Sequence, residues 1–247
     1  AANRAGCDLV YLIGPERAMN VAAKYSPSLI TQPLDGKKLE MKHVQTILSF
    51  IKTVRATAVV IGPGLWRTEE TKKAINSLIE KIKLPMVIDA DAIRSAGSIK
   101  DVLKNRKVLL TPHSDEFLEL TGVRLNENIK ERMDCVRKEA FKINCGKDNT
   151  CPLYPPVTIL LKGNVDVISN GKEMILNNTG TPFMTKGGCG DTLTGISGAF
   201  LARNIDSFTS ACASAYINGK AGELASKSNG EGLLPTDLIE EIPNVIK

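Results

Sequence analysis

Short apolar segments alternate along this chain with longer stretches of helical periodicity. The segments, mostly rich in β-branched residues, are 9–13, 58–61, 86–88, 108–110 and 157–161. Each is followed within two residues by Gly, Pro, Asp or Thr, which favour loops. Between them, stretches such as 69–83 and 114–120 place apolar residues three and four positions apart. Continuous apolar strands separated by helices predict a mainly parallel sheet that is covered on both faces.

A later pair of segments predicts an antiparallel addition to this sheet. Residues 165–169 and 173–176 flank Asn170-Gly171, a dipeptide typical of tight hairpin turns. There is no internal repeat, low-complexity tract or linker, so the 247 residues predict one domain over 1–247. The first six residues end in Gly6 and look like the last turn of a helix. We therefore expect that domain to lack an N-terminal segment.

Composition argues against several classes of partner. The chain has 32 Lys and Arg residues against 27 Asp and Glu, a formal net charge of +5, and the basic residues are scattered. Nucleic-acid and anionic-membrane binding favour clustered Lys and Arg, so neither is expected. No apolar run approaches the roughly 18–20 residues that span a bilayer, and no signal-peptide pattern opens the chain. We expect a soluble, cytoplasmic protein.

The six cysteines do not form a metal or redox motif. They lie far apart, without a C-x-x-C pair, at positions 7, 135, 145, 151, 189 and 212. Reduced thiols are the default in a chain of this length without an export signal. The one local pair, Cys145 and Cys151, falls in a polar stretch that it could close as a disulfide.

The glycine-rich stretch 185–195 gives the strongest indication of chemistry. Three glycines within four positions, Gly187, Gly188 and Gly190, let the backbone approach an anion closely. The N–H groups that open the following helix supply donors and a positive dipole end. Asp191 in that first turn is placed to accept a proton from a hydroxyl beside a phosphate, although an aspartate here could simply cap the helix. No Walker A or G-x-G-x-x-G pattern is present, which argues against a P-loop or a standard dinucleotide site.

Ligands of open parallel sheets bind beyond the carboxyl ends of the strands. The predicted strands of this chain end in 62–64, 89–91, 111–113 and 162–163. Lys162 could reach a phosphate from such a strand end. Asp89 and Asp91 either cap a helix or help to arrange a metal–phosphate site, and the sequence does not choose between these roles.

The two histidines differ in their sequence surroundings. His113 follows a predicted strand, where a ligand contact is favoured, and Ser114 is the expected N-cap of the next helix. Asp115 in the first turn suits the helix dipole in any protein. His43 lies in an ordinary helical stretch and is expected to be exposed. Trp66 follows a Gly-Pro-Gly turn, and we expect it to pack rather than to stack on a ligand.

The ordered combination of motifs is more specific than any one of them. The motifs are VVIGPGL at 59–65, VIDADAI at 87–93, LLTPHSDEFLELTG at 109–122, ILLKG at 159–163, NNTGTPFMTKGGCGDTLTG at 177–195 and GELA at 222–225. Together they resemble the ADP/ATP-dependent NAD(P)H-hydrate dehydratase family of the ribokinase-like superfamily. The resemblance implies a three-layer α/β/α fold with a mainly parallel central sheet and a C-terminal antiparallel hairpin.

The resemblance also implies a reaction. The family repairs NADH and NADPH that have been hydrated at C6 of the nicotinamide ring, and it couples this dehydration to hydrolysis of ADP or ATP with Mg²⁺. Asp191 would deprotonate the C6 hydroxyl, which attacks the terminal phosphoryl group, and the phosphate ester would then be eliminated. The helix N-terminus would stabilise the phosphoryl charge. The family often forms tetramers, so a homo-oligomer is expected.

Residue roles follow from the same resemblance. The residues implied for the nucleotide are Lys162, Gly163, Asn164, Val165 and Asp166 around the AMP part, with Gly187, Gly188 and Gly190 at the phosphates. The residues implied for the hydrated nicotinamide nucleotide are Gly64, His113 and Asp191. Glu116 is the candidate ligand for magnesium.

The chain departs from the family pattern in three respects and carries one added stretch. The family has a Gly-rich segment that would precede residue 1 and contribute to the substrate side, so we expect activity to depend on that segment. Asp166 stands where small polar residues are usual, and its carboxylate would favour hydroxyl contacts or weaken phosphate binding. Cys189 replaces the commoner Ser or Ala, which would put an oxidisable thiol beside Asp191. The stretch 144–156 looks like a loop insertion.

Two other functions are compatible with the same motifs. A kinase for a vitamin precursor, such as hydroxyethylthiazole or hydroxymethylpyrimidine, tends to carry Asn where this chain has His113, which favours the dehydratase. A sugar kinase is disfavoured because no inserted strand pair that could form a lid is evident in the N-terminal half. A non-catalytic nucleotide-binding module is disfavoured by the intact Gly190-Asp191 pair.

Overall fold

The computed structural model describes residues 1–65, 67–146, 151–153 and 156–247. Its strands are β1 (Val10–Pro15), β2 (Leu29–Leu34), β3 (Val59–Ile61), β4 (Met86–Ile88), β5 (Val108–Leu110), β6 (Val157–Leu161), β7 (Asp166–Ser169) and β8 (Met174–Asn177). Its α-helices are α1 (Glu16–Tyr25), α2 (Val44–Thr53), α3 (Glu69–Lys81), α4 (Ala90–Ala96), α5 (Ser114–Thr121), α6 (Ile129–Cys145), α7 (Cys189–Ala202), α8 (Ser207–Asn229) and α9 (Pro235–Ile246).

Within the described residues, the main sheet contains six strands in the order β3-β4-β5-β6-β7-β8. Strands β3 to β6 are parallel, and β7 and β8 add to β6 in antiparallel pairing. The turn between β7 and β8 contains Gly171 at φ 90°, the left-handed region that glycine enters without a Cβ penalty. The predicted parallel sheet and its C-terminal hairpin are therefore confirmed.

Helices cover both faces of this sheet because successive strand residues point to opposite sides. On one face Val87, Leu109 and Leu160 pack with Leu193 of α7 and Ala211 of α8. On the other face the alternate strand residues pack against α3, α4, α5 and α6. The side chains of β4, β5 and β6 are all buried, which explains their continuous apolar sequence. The arrangement is the predicted three-layer one.

The N-terminal region departs from the prediction. Strand β1 pairs with β2 in a separate two-stranded parallel sheet, and α1 connects the two strands. The sequence of β2, Leu-Ile-Thr-Gln-Pro-Leu, carries two polar residues and Pro33, which is why no apolar run predicted it. Proline is tolerated at a sheet edge because it has no N–H to contribute to the ladder. A strand pair outside the main sheet is therefore present in the N-terminal half, where the sequence showed none; its strands are parallel and are joined by α1.

His43 is buried, so its predicted exposure is wrong. It ends a short 3₁₀ turn (Met41–His43) and is only 2% exposed. Its Nδ1 accepts from the N–H of Glu40 at 3.0 Å, and its Nε2 lies 2.9 Å from Asp35 Oδ1. Periodicity alone did not reveal that this turn folds its ring inward against the chain just before it.

The cysteine pair also differs from the default. Cys145 and Cys151 form a disulfide, with their Cα atoms 4.3 Å apart. Cys145 is the last residue of α6, and Asn144 before it is buried and hydrogen-bonds both backbone groups of Val157. The predicted insertion at 144–156 therefore begins inside a helix, and part of it lies outside the described residues. Among the described helices, none is long and apolar enough to cross a bilayer.

Candidate active site

The candidate site lies where the parallel strands end and α7 begins. Gly188 precedes α7 at φ 100°, and a Cβ on it would stand 2.8 Å from Pro235 Cγ. Both its backbone conformation and the lack of space for a side chain therefore favour glycine here. Gly187 is exposed and has open space around it, whereas Gly190 lies within the first turn. The first N–H groups of a helix have no intrahelical acceptor. This turn is therefore suited to hold an anion, as predicted.

Lys162 extends from the end of β6 toward that turn. A Cβ on Gly190 would lie 3.6 Å from its Nζ, so the ammonium stands close to the helix backbone. Its Nζ contacts Asp89 Oδ1 at 2.8 Å and Glu116 Oε2 at 3.7 Å. The backbone N–H of Lys162 donates to Pro112 O at 2.8 Å, which fixes the β6 end beside the β5 end. One cation and the helix N-terminus thus face the same space.

Asp89 is the buried centre of the site. It is 1% exposed, and its carboxylate accepts from Thr111 Oγ1 at 2.8 Å and from Thr194 Oγ1 at 2.7 Å, besides Lys162. Asp91, two residues later, pairs instead with Arg67 (Nε to Oδ1, 2.7 Å). The two aspartates that the sequence left undecided therefore have different surroundings, and only Asp89 joins the site.

Asp191 lies in the first turn of α7 and is exposed toward the site. Partial burial raises the pKa of its carboxyl above the ordinary value, and the Asp89 carboxylate raises it further, while the Lys162 ammonium lowers it. A carboxylate with a raised pKa is a stronger base at neutral pH. The structure therefore brings the candidate base together with Lys162 and Gly190.

His113 caps α5, which corrects the predicted N-cap at Ser114. Its Nδ1 accepts from the N–H groups of Asp115 and Glu116 at 3.1 and 3.3 Å, and Ser114 is already helical. Its Nε2 lies 3.2 Å from Glu116 Oε1, and its side chain stays 46% exposed. Both nitrogens of the His113 ring are thus engaged within the protein. The part of the ring that is available to a ligand is its flat face.

The loop from Lys162 to Asp166 is closed by the Asp166 side chain. Its Oδ1 accepts from the Gly163 N–H at 3.0 Å, and its Oδ2 accepts from Asn177 Nδ2 at 2.9 Å. Burial raises the pKa of the Asp166 carboxyl, although these hydrogen bonds act against the shift. Asp166 therefore holds the loop in shape with both oxygens, whereas Asn164 is exposed and Val165 is half-buried.

Glycines shape the end of β3 as well. Gly62 has φ 140°, and a Cβ there would lie 1.7 Å from the carbonyl oxygen of Asp89, so the two strand ends approach too closely for any side chain. Gly64 is exposed at φ 74° with nothing within 4 Å of a Cβ. Gly64 thus lies at the edge where the site opens. Trp66 lies outside the described residues.

Cys189 does not have the accessibility expected of a reactive thiol. Cys189 is the first residue of α7, its side chain is buried in the core, and this burial raises the pKa of the thiol. A raised pKa lowers the thiolate fraction on which oxidation depends. The structure therefore does not support an oxidisable thiol beside Asp191. The Cys189 side chain faces the core, whereas the Asp191 side chain, two residues later, faces the site.

The donor set does not form a metal cage from protein groups alone. Within the described ranges, no cluster of three or more His, Cys, Asp or Glu side chains could hold a metal ion. Both oxygens of Glu116 are engaged, Oε2 by the His113 N–H at 2.9 Å and Oε1 by the His113 ring. Magnesium is commonly bound by one or two carboxylates together with substrate phosphates. These residues fit a metal ion that arrives with a nucleotide, and Glu116 stays a prediction as its ligand.

Sequence reasoning missed two features of the site. It did not group Asp89, Thr111 and Thr194, because Thr194 is 105 residues from Asp89 in the chain. It also did not single out Arg132 of α6, whose Nη2 would lie 3.2 Å from a Cβ on Gly163. Asp89 was indicated by its position at a strand exit and by the VIDADAI motif, whereas no local motif pointed to Arg132.

The sequence matches the model of the NAD(P)H-hydrate dehydratase family over residues 1–244. This chain belongs to the NAD(P)H-hydrate dehydratase family. An ADP-dependent (S)-NAD(P)H-hydrate dehydratase of Cenarchaeum symbiosum is 36% identical to this member, across the whole chain and 81% of the relative. The predicted family is therefore confirmed.

Longer relatives of the dehydratase family contain more than this chain. A bifunctional NAD(P)H-hydrate repair enzyme of Pyrobaculum aerophilum is 41% identical over the whole chain, which covers 46% of that protein. A second such enzyme, of Hyperthermus butylicus, is 38% identical, and the chain covers 44% of it. The chain thus spans somewhat less than half the length of these curated relatives.

Solved structures agree with the family and the fold. The ADP/ATP-dependent NAD(P)H-hydrate dehydratase of Bacillus subtilis, co-crystallised with ATP and Mg²⁺, superimposes with a TM-score of 0.73 at 27% identity, covering 99% of this chain and 80% of that one. A ribokinase-like superfamily protein of Enterococcus faecalis gives a TM-score of 0.75 at 21% identity, with 98% and 78% coverage. The ribokinase-like fold is therefore confirmed for this dehydratase-family member.

Proposed function

We propose that this chain dehydrates the C6 hydrates of NADH and NADPH at the expense of ADP or ATP. The observation that carries the proposal is the placement of Asp191, whose pKa is raised, directly after Gly190 at the N-terminus of α7 and beside Lys162. A base and an anion-binding turn in contact suit phosphoryl transfer to a hydroxyl. Membership of the dehydratase family supports the choice of hydroxyl.

The first step is phosphoryl transfer. The N–H groups of the α7 turn and the Lys162 ammonium bind the terminal phosphate, while the loop that Asp166 closes holds the AMP part. Asp191 takes the proton of the C6 hydroxyl while the oxygen of that hydroxyl bonds to the terminal phosphorus. At the same time, the bond between this phosphorus and the bridging oxygen of the nucleotide breaks. AMP leaves from ADP, or ADP leaves from ATP. The positively polarised helix end stabilises the developing charge.

The second step is elimination. The nitrogen lone pair of the ring expels the C6 phosphate as inorganic phosphate, and loss of a C5 proton restores the C5–C6 double bond. Phosphate is a much better leaving group than hydroxide, which is why the nucleotide is consumed. Magnesium, when bound with the nucleotide, would neutralise phosphate charge near Glu116.

The substrate side is formed by the ends of β3 and β5. Gly64 leaves open space at the first, and the half-exposed His113 ring presents its face at the second. Because the His113 nitrogens are engaged with α5, we propose that the ring packs flat on the hydrated nicotinamide nucleotide. Assembly into a homo-oligomer, such as a tetramer, stays a prediction that sedimentation can check.

The test is the recovery of absorbance at 340 nm from hydrated NADH with Mg²⁺, with ADP and ATP in separate reactions. We expect recovery and release of inorganic phosphate, and the productive reaction names the donor. No recovery, together with phosphorylation of hydroxyethylthiazole or hydroxymethylpyrimidine, would replace the dehydratase by a kinase.

Asp191→Asn tests the proposed base. We expect kcat to fall by roughly 10²- to 10⁴-fold, the usual contribution of a positioned general base, while nucleotide affinity is retained. Stopped reactions measure the first quantity and calorimetric titration with ADP the second. A kcat near that of the unaltered protein would remove Asp191 as the base.

A further inference from the structure

We propose that Asp89 is a positioning residue for this reaction. Its buried carboxylate holds the Lys162 ammonium beside the N-terminus of α7 and ties that helix to the ends of the strands. The inference rests on the proposed dehydratase function, because that function supplies the turnover by which positioning is measured. The inference assigns a role to a side chain that lies outside both the glycine-rich turn and the loop from Lys162 to Asp166.

The contacts of Asp89 connect four elements. Its Oδ1 accepts from Lys162 Nζ of the β6 end and from Thr111 Oγ1 of the β5 end, both at 2.8 Å. Its Oδ2 accepts from Thr194 Oγ1 of α7 at 2.7 Å, and Asp89 itself follows β4. A carboxylate with three donors in a buried place is held in one orientation, and so are its donors.

The simpler role of a helix cap does not account for these contacts. Asp89 occupies the N-cap position of α4, yet its side chain makes no hydrogen bond to that helix. Ala90 after it has φ 47°, a left-handed conformation that is uncommon for residues with a Cβ. The backbone at the β4 end thus adopts an uncommon conformation where the Asp89 side chain enters the site, as residues beside active sites often do.

Without Asp89, Lys162 has a poorer set of contacts. Among the described residues, its other carboxylate within 4 Å is Glu116, at 3.7 Å, beyond hydrogen-bond distance. The long side chain would then sample other rotamers, and a displacement of about 1 Å in a catalytic group can lower a rate about 100-fold. Asp89 would therefore act on turnover through the place of Lys162 rather than by touching the substrate.

Asp89→Asn removes the charge with little change of shape. Thr194 Oγ1 also lies 2.9 Å from Gly190 O, so its hydroxyl can donate there and accept from the new amide. We expect kcat to fall by about 10- to 100-fold, while KM for the nucleotide does not rise in step, because loss of a negative charge favours anion binding. Asp91→Asn is the matched control, since Asp91 pairs with Arg67 at the same strand exit, and its kinetics should equal those of the unaltered protein.

The pH profile separates positioning from general loss of structure. The groups that act on the Asp191 pKa are the Asp89 carboxylate, which raises it, and the Lys162 ammonium, which lowers it; the buried Cys189 thiol is also close. The acidic limb of kcat should therefore move to lower pH in Asp89→Asn and to higher pH in Lys162→Ala. A variant that is merely less folded would lose amplitude and keep the limb in place.

A double-mutant cycle of Asp89→Asn and Lys162→Ala tests whether Asp89 acts through Lys162. If Asp89 acts through Lys162, the double variant should be no worse in kcat than Lys162→Ala alone, and Lys162→Ala should cost less ADP affinity in the Asp89→Asn background. Additive effects in both quantities, or near-normal kcat in Asp89→Asn, would overturn the positioning role. If the ADP affinities of the variants are coupled but the unaltered protein has no dehydratase turnover, the positioning role of Asp89 is retained and the proposed function is wrong.

Discussion

At the scale of single residues, the site depends on charges whose partners lie far away in the sequence. Lys162 and Asp89 are 73 residues apart, yet they form a 2.8 Å ion pair. The sequence predicted Lys162 at a strand end and Asp191 in a helix turn, because both follow recognisable local patterns. It predicted Ser114 as a cap and exposure of His43 wrongly, because the decisive contacts of both histidines were not visible as periodicity.

Lys162→Ala should weaken nucleotide binding. The ammonium stands beside the Gly190 backbone, where a phosphate would accept a charge-assisted hydrogen bond. We expect affinity for ADP, measured by calorimetric titration, to fall roughly 10- to 100-fold, the value of one hydrogen bond to a charged group. Lys52→Ala, at an exposed position of α2, is the control for loss of one positive charge. Equal ADP affinity in all three proteins would contradict the assignment of Lys162.

At the scale of elements, glycines decide how closely strand ends and helix starts approach. Gly62 lets the β3 end contact the backbone of Asp89, and Gly188 lets α7 begin against Pro235. Turn chemistry predicted these glycines as loop formers, and Asn170-Gly171 as a hairpin. The sequence did not reveal β2, since Thr31, Gln32 and Pro33 interrupt its apolar character.

Gly62→Ala should be much more destabilising than Gly64→Ala. Both glycines have positive φ, but only at Gly62 would a Cβ overlap backbone, 1.7 Å from the Asp89 oxygen. We expect the free energy of unfolding to fall by about 2–5 kcal/mol for Gly62→Ala, from backbone strain and overpacking together, and by about 1–2 kcal/mol for Gly64→Ala, from strain alone. Urea denaturation measures both values, and equal losses would show that the strand ends separate at no cost.

At the scale of the whole molecule, the two ends of the central sheet have different roles: one carries the candidate site, and the other carries contacts that hold β6 to α6. The carboxyl ends of β3 to β6 carry the candidate site. The amino end of β6 is held by Asn144, which accepts from the Val157 N–H at 3.0 Å, next to the disulfide at Cys145. The five residues of β6 separate these regions by about 16 Å, at about 3.3 Å per residue. We therefore expect a change at the disulfide to alter stability without altering turnover.

Reduction of the disulfide should affect stability and not turnover. Opening the short loop between Cys145 and Cys151 frees the unfolded chain, and we expect the free energy of unfolding to fall by about 2 kcal/mol. Denaturation with and without a reductant gives this difference, while kcat stays the same in both conditions. In Cys151→Ser the reductant should have no effect. A reductant-dependent kcat would show that the amino end of β6 is coupled to the site.

The sequence by itself determined the layers, the hairpin and the glycine-rich turn before α7. These features depend on periodicity and turn chemistry, which act between residues close together in the chain. The tertiary structure decided which polar groups meet: that Asp89 contacts Lys162 while Asp91 turns to Arg67, that His113 caps α5, and that Cys189 is buried. Such choices depend on the positions of strand ends in space, because a buried charge is stable only where its partners converge.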